Sequence, residues 1–169
     1  MSRGLMSVRG LCLITVLTTI IFVQEELLAL IPNVQLTFLL FVVYGATLPL
    51  PYTLLIMCAH VLLDNLFMSS FRIEVILPML LGYLPTILLA YLFRNKNEYI
   101  QAIVGVVGSI LYALSFAILN VFLLDIEFVP YVIADIPFTI ILSMSSALTI
   151  IFLYKPIKRI IVDNLNRFK

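Results

Sequence analysis

Long apolar segments separated by short polar breaks run through most of the chain. A helix needs roughly 20 such residues to cross the hydrocarbon core of a bilayer. Prolines, asparagines and charged residues mark the breaks, and no strand-like alternation of apolar and polar positions accompanies them. The pattern predicts six helices, the second of them short, over residues 7–31, 34–48, 51–68, 74–93, 98–124 and 130–154. Pro78 and Pro85 predict a kink or a break in the fourth.

Residues 155–169 carry a different pattern, in which apolar and charged positions take opposite faces of a helix. This pattern predicts a C-terminal amphipathic helix that lies on the membrane surface. Its apolar face consists of Ile157, Ile160, Ile161, Leu165 and Phe168, and its charged face of Lys158, Arg159, Asp163 and Arg167.

The composition agrees with a membrane protein. Of 169 residues, 63% are hydrophobic and 11% are charged, whereas ordinary globular chains are about 45–50% apolar and about 25% charged. So few charges cannot cover a soluble surface, so lipid must cover part of it. We therefore predict an all-α polytopic membrane protein, with one transmembrane domain over residues 1–169. The basic start resembles a signal peptide, but no A-x-A-like cleavage site follows, so the segment is interpreted as a retained helix.

The distribution of charge predicts the orientation. With the N-terminus in the cytoplasm, nine of the ten lysines and arginines fall on the inner side and only Arg72 on the outer side. The acidic residues show the opposite trend, because all but Glu98 and Asp163 lie near the outer ends of the helices. We expect both termini to be cytoplasmic and the outer half of the bundle to hold a site open to the outside.

No catalytic motif is present in the sequence: it has no HExxH, no GxSxG and no phosphate-binding loop. His60 is the single histidine, and nothing at a suitable spacing makes it part of a catalytic triad. The expectation is that the protein is not an enzyme and needs no metal or other cofactor. A net charge of +1 gives no indication of a nucleic-acid partner.

The candidate substrate-binding residues are polar or aromatic side chains predicted to lie in the outer half of the bundle. Ionisable groups at membrane depth are costly, by about 2.5–3.5 kcal/mol each, so they usually pair or face a cavity. The candidates are Gln24, Glu25, Asn33, Gln35, His60, Asp64, Asn65, Tyr112, Asn120 and Asp135.

Each candidate also has a plainer interpretation. His60 and Asp64 are four residues apart on one helix face, so they contact a ligand or satisfy each other. Glu25 forms the lip of a pocket or marks the boundary with water. Asn33 turns its amide into a pocket or caps the second helix. Asp135 contacts a ligand or is an acid favoured by the helix dipole near the start of the sixth helix.

Three groups of residues carry a resemblance to a known family. Their order and spacing resemble those of the S components of energy-coupling factor (ECF) transporters, and the resemblance spans almost the whole chain. The groups are Phe22-Val23-Gln24-Glu25 with Ile31-Pro32-Asn33-Val34-Gln35-Leu36-Thr37, then His60-Val61-Leu62-Leu63-Asp64-Asn65, and finally Asp135-Ile136-Pro137-Phe138 with Leu153-Tyr154-Lys155-Pro156.

The resemblance implies a six-helix protein of the bacterial plasma membrane that captures a vitamin or related micronutrient from outside. S components dock on a membrane T subunit, which couples them to two cytoplasmic ATPases, and the S subunit is thought to topple in the membrane to deliver its cargo. The family often has an Ala-x-x-x-Ala face on the first helix for docking. This chain lacks that pair, and the nearest substitutes are Gly10, Thr15 and Thr19.

An alternative hypothesis is a scaffold resembling the rod-shape membrane protein of the MreD type, which acts in cell-wall assembly. Such proteins have a similar length, helix number and apolar composition. A scaffold needs no polar pocket in the outer half, so alanine at Asn33, Gln35 and Asp64 would leave it unaffected. A third hypothesis, an intramembrane enzyme, lacks a paired catalytic set.

Overall fold

The computed structural model describes residues 8–28, 36–68 and 71–167, and within these ranges the chain is helical with no strand. The helices are α1 Val8–Leu28, α2 Thr37–Thr47, α3 Leu50–Phe67, α4 Ile73–Leu92, α5 Glu98–Leu124 and α6 Phe128–Arg167. Five of them are long and apolar enough to cross a membrane, and α2 is shorter. The predicted all-helical fold is confirmed, and the protein is a membrane protein.

The short helix α2 lies at the centre of the bundle. Its 11 residues span about 16 Å at about 1.5 Å per residue, roughly half of a hydrocarbon core. Ten of them, Thr37 to Ala46, are buried, and α2 contacts each of the other five helices. A helix too short to cross the hydrocarbon core needs other elements around it, because its end groups cannot be satisfied by lipid. The bundle is therefore built around α2.

Helices α4 and α5 pack closely because glycines face the neighbouring helix. A Cβ atom on Gly82 would lie 2.8 Å from both the Ser115 hydroxyl and the Tyr112 Cα, and one on Gly108 would overlap the side chain of Thr86. Ser115 donates a hydrogen bond of 2.7 Å to the Pro78 carbonyl. Although α4 contains two prolines, it runs unbroken from Ile73 to Leu92, so the predicted break does not occur.

The structure differs from the sequence prediction at the C-terminus. Helix α6 continues through Pro156 to Arg167 as one helix of 40 residues, so residues 155–167 are not a separate element. At about 1.5 Å per residue, α6 is roughly 60 Å long, twice the thickness of a hydrocarbon core of about 30 Å. Part of α6 must therefore lie outside the hydrocarbon core.

The apolar face of this extension contacts the protein itself. Ile161 belongs to the hydrophobic core, and Ile157 and Leu165 pack against that core. Lys158 donates to the Arg94 carbonyl at 3.2 Å, which ties the extension to the turn between α4 and α5. The amphipathic pattern predicts membrane binding; among the described residues of that face, Ile161 is buried in the bundle, Ile157 and Leu165 are partly covered by it, and Ile160 is exposed.

Two adjacent isoleucines distinguish these interpretations. Ile161 is 9% exposed and Ile160 is 60% exposed. We expect Ile161→Ala to lower the free energy of unfolding by about 2 kcal/mol, because it leaves a cavity against the core. The matched control Ile160→Ala changes it by less than about 0.5 kcal/mol. Denaturant unfolding in detergent measures both, and equal effects of the two substitutions contradict packing of the extension on the bundle.

Candidate functional site

A polar cluster joins α1, α2 and α3 where α1 ends and α2 begins. The Gln24 amide donates to the Thr37 hydroxyl at 2.8 Å and accepts from the Leu36 backbone N–H at 2.8 Å. Thr37 in turn donates to a carboxylate oxygen of Glu25 at 3.2 Å. Nε2 of His60 lies 3.1 Å from the same Glu25 oxygen. Gln24, Glu25, Thr37 and His60 are named here the polar cluster.

His60 is fully buried, as is Thr37, with 0% of its surface exposed. Its contact with Glu25 has the distance of an ion pair but not the alignment of a hydrogen bond. Nδ1 of His60 has no hydrogen-bond partner in the part of the chain that the structure describes.

Asp64 lies one helical turn beyond His60 and is half-buried. It is close enough to Glu25, Glu26 and His60 to interact electrostatically with all three. In residues 8–28, 36–68 and 71–167, none of these three carboxylates forms an ion pair with a lysine or arginine. Three acidic side chains thus lie near one another at this end of the bundle, and one of them, Glu25, contacts the imidazole of His60.

An aromatic cluster connects His60 to α5. The Phe41 and Tyr83 rings lie 5.9 and 6.0 Å from the imidazole, and the Tyr83 ring lies 4.6 Å from that of Tyr112. Edge-to-face and tilted contacts of this kind are favourable between aromatic rings. The aromatic cluster consists of Phe38, Phe41, Tyr83, Tyr112 and Phe116.

Two clefts lie between α5 and α6, and Asp135 and Thr139 line both. The first, of about 180 Å³, is otherwise apolar, with Ile110, Ala117 and Ile136 in its walls. The second, of about 190 Å³, is lined by Tyr112, Ala113, Phe116, Tyr131, Asp135, Phe138, Thr139 and Leu142. Both are smaller than the pockets of about 300–1,000 Å³ that hold drug-sized ligands.

The remaining candidates from the sequence are spread over the fold. The Asn65 amide donates to the Val61 carbonyl at 2.8 Å and contacts the Met79 sulfur at 3.4 Å, so Asn65 faces α4. The Asn120 amide lies 3.4 Å from the Tyr131 hydroxyl. Asn33 and Gln35 fall outside the residues that the structure describes.

The residues expected to dock a partner lie on α1. Gly10 is buried, whereas Thr15 and Thr19 are exposed. Each threonine hydroxyl donates to the carbonyl four residues earlier, at 2.9 Å for Thr15 and 2.8 Å for Thr19. These two side chains therefore present their methyl groups outward, without an unsatisfied polar atom.

Sequence reasoning missed two residues that organise the site. Thr37 bridges Gln24 and Glu25, and its position in the first turn of α2 was the available signal. Tyr83 connects His60 with Tyr112, but a buried tyrosine on a largely apolar helix has no distinguishing pattern in the sequence. His60 was expected to share a helix face with Asp64, yet its ion-pair contact is with Glu25 on α1.

Comparisons with protein-family models, curated proteins and solved structures find no match for this chain. Its residues and their arrangement are therefore the basis for inferring its function. Among the described residues, no three histidines, cysteines or acids are grouped so that they could hold a metal ion. The arrangement can bind polar or positively charged groups through carboxylates, and planar groups through aromatic rings.

A double-mutant cycle tests the polar cluster. We expect Glu25→Gln and His60→Gln to show a coupling energy of about 1 kcal/mol in denaturant unfolding, because the two side chains are in direct contact. The control cycle combines His60→Gln with Glu98→Gln, since Glu98 pairs with Lys155 at the start of α5. That control pair should be additive. Additivity of the Glu25 and His60 substitutions is evidence against their contact.

Proposed function

We propose that this protein is the substrate-binding S component of an ECF-type importer. The supporting observation is a continuous set of polar and aromatic side chains inside one end of the bundle. It begins at Glu25 and His60, continues through Tyr83 and Tyr112, and reaches Asp135 in the α5–α6 clefts. Buried ionisable groups are expensive in a membrane protein and by default indicate a functional site.

In this proposal the polar cluster lies toward the outside of a bacterial plasma membrane. The excess of lysine and arginine near the opposite ends of the helices supports that orientation, with both termini in the cytoplasm. The substrate, a vitamin or related micronutrient, enters from outside.

Energy for import comes from other polypeptides in this proposal. The sequence has no phosphate-binding loop, and the resemblance to S components provides the partners, a membrane T subunit and two cytoplasmic ATPases. The exposed face of α1 around Thr15 and Thr19 is the proposed docking surface. Because both hydroxyls are bonded within α1, this face can approach another helix closely without leaving a polar group unsatisfied.

The second candidate is a scaffold of the MreD type. The small size of the two clefts, about 180 and 190 Å³, favours it, because a scaffold needs no ligand pocket. Under this alternative the polar cluster only holds α1, α2 and α3 together.

Ligand capture separates the two candidates. Under the S-component proposal, the purified protein carries a small molecule that mass spectrometry identifies, and Asp64→Ala reduces its occupancy at least about tenfold by removing a charged partner. Asn33→Ala and Gln35→Ala test the two predicted residues that precede α2. The control Asp163→Ala, on the exposed C-terminal extension, keeps full occupancy.

Association is the second measurement in this test. Co-expression with T subunits and their ATPases should yield a complex, and Thr15→Leu with Thr19→Leu should weaken it. Absence of both a bound small molecule and a T-subunit complex rules out the S-component proposal. If the Asn33→Ala, Gln35→Ala and Asp64→Ala variants leave growth and cell shape unchanged, and a cell-wall assembly protein co-purifies, the scaffold hypothesis is supported.

A further inference from the structure

Asp135 is a carboxylate on a membrane helix without a cationic partner. It lies two turns into α6 and is half-buried. Its Oδ2 accepts a 2.8 Å hydrogen bond from Thr139. None of the ion pairs among the described residues includes it. Acids in such positions usually pair with a positive charge, and the Asp135 carboxylate has room to accept one besides the Thr139 hydroxyl.

The surroundings of Asp135 suit a cation. Four aromatic side chains, Tyr112, Phe116, Tyr131 and Phe138, line the second cleft together with this carboxylate. The faces of aromatic rings attract ammonium groups, and the attraction is stronger where water is excluded. The buried Leu142 also lines this cleft, so the carboxylate lies beside aromatic and apolar side chains.

Asn120 contacts Tyr131, one of the residues that line the second cleft. Its amide nitrogen lies 3.4 Å from the Tyr131 hydroxyl, and its side-chain oxygen is buried without a hydrogen-bond partner in the described part of the chain. A buried acceptor left unpaired costs about 1–3 kcal/mol. An N–H or O–H donor on a ligand would offset that cost, as would a small displacement of Tyr131.

We propose that the α5–α6 cleft at Asp135 binds a small organic cation, with its ammonium group on the carboxylate and its carbon atoms against the aromatic rings. This inference rests on the proposed function, since it names the substrate class of the importer. The cleft volume of about 190 Å³ limits the bound part to a small amine or quaternary ammonium group. Anionic and neutral micronutrients are excluded from this position.

An ammonium group can reach the cleft from two sources. One is a soluble amine, which is the substrate in this proposal. The other is the amine headgroup of a phospholipid, because Phe138 and the neighbouring residues Ile136 and Ile140 are exposed on the outer surface of α6. The two sources share the same chemistry at Asp135 and differ in whether lipid is required.

The experiment uses the full chain in detergent and follows thermal unfolding by circular dichroism. The soluble probes are methylammonium, benzylammonium and choline, each compared with a neutral counterpart, namely methanol, benzyl alcohol and 3,3-dimethylbutan-1-ol. We expect at least one cation to raise the Tm while its counterpart does not. Asp135→Asn should weaken binding of that cation at least about tenfold. The control Asp125→Asn, in the turn between α5 and α6, should not.

A second variant keeps the test valid if Asp135→Asn fails to fold. Phe138→Leu leaves the carboxylate in place and removes one aromatic face. It should weaken binding of the same cation roughly three- to tenfold. The lipid arm repeats the melts in nanodiscs of phosphatidylglycerol with and without phosphatidylethanolamine. Stabilisation by phosphatidylethanolamine alone, lost in Asp135→Asn, supports the ammonium site but overturns its assignment to a substrate.

The remaining outcomes separate this inference from the proposed function. If no cation and no amine lipid stabilises the protein, or if the neutral counterparts act equally, the cation site is overturned. A co-purified neutral or anionic molecule, bound equally by Asp135→Asn, also overturns it while substrate capture stands. Cation binding that depends on Asp135, without any T-subunit complex, supports the cation site and contradicts the proposal that the protein is part of an importer.

Discussion

The structure depends on burial of α2, a helix too short to cross a bilayer alone. In lipid every backbone polar group must be satisfied within the protein, so the ends of an 11-residue helix need neighbours. Other helices surround α2 on all sides. At its start, Thr37 is bonded to Gln24 and Glu25, and at its end the Tyr44 carbonyl accepts from Thr53 at 3.2 Å. The polar cluster is therefore also the means by which α2 is held.

Hydrophobic length predicted most of the fold, because a membrane imposes one strong requirement on helix length. That requirement is local, so it can be read along the chain. The C-terminal extension is different, since its pattern gives the apolar face of a helix but not the surface that covers it. Ile161 would be buried against lipid or against protein with the same sequence. Only the path of α6 past the α4–α5 turn shows that the protein covers it.

The candidate site could be predicted only in part. The position of a residue along its helix indicates its depth in the membrane, but the sequence does not show which neighbouring helix its side chain faces. Gln24, Glu25 and His60 were placed at one level and do meet. Asn65 lies at the same level but faces α4, because five residues of helix separate it from His60 by more than a third of a turn. The sequence pattern offered Asp64 or a ligand as the partner of His60, and the ion-pair contact is with Glu25 on α1. Contacts between helices depend on packing across the whole bundle, which no local pattern records.

The two acidic regions at this end of the bundle differ in what their charges already contact. Glu25 already contacts His60 and accepts a hydrogen bond from Thr37. A ligand that bound the Glu25 carboxylate would have to displace one of these side chains. Among the described residues, Asp135 accepts a side-chain hydrogen bond from Thr139 and forms no ion pair. Under the proposed function, a cationic substrate gains more binding free energy at Asp135, because there it replaces no existing ion pair. The polar cluster also joins α1, α2 and α3, and the aromatic cluster connects this end of the site to the cleft at Asp135.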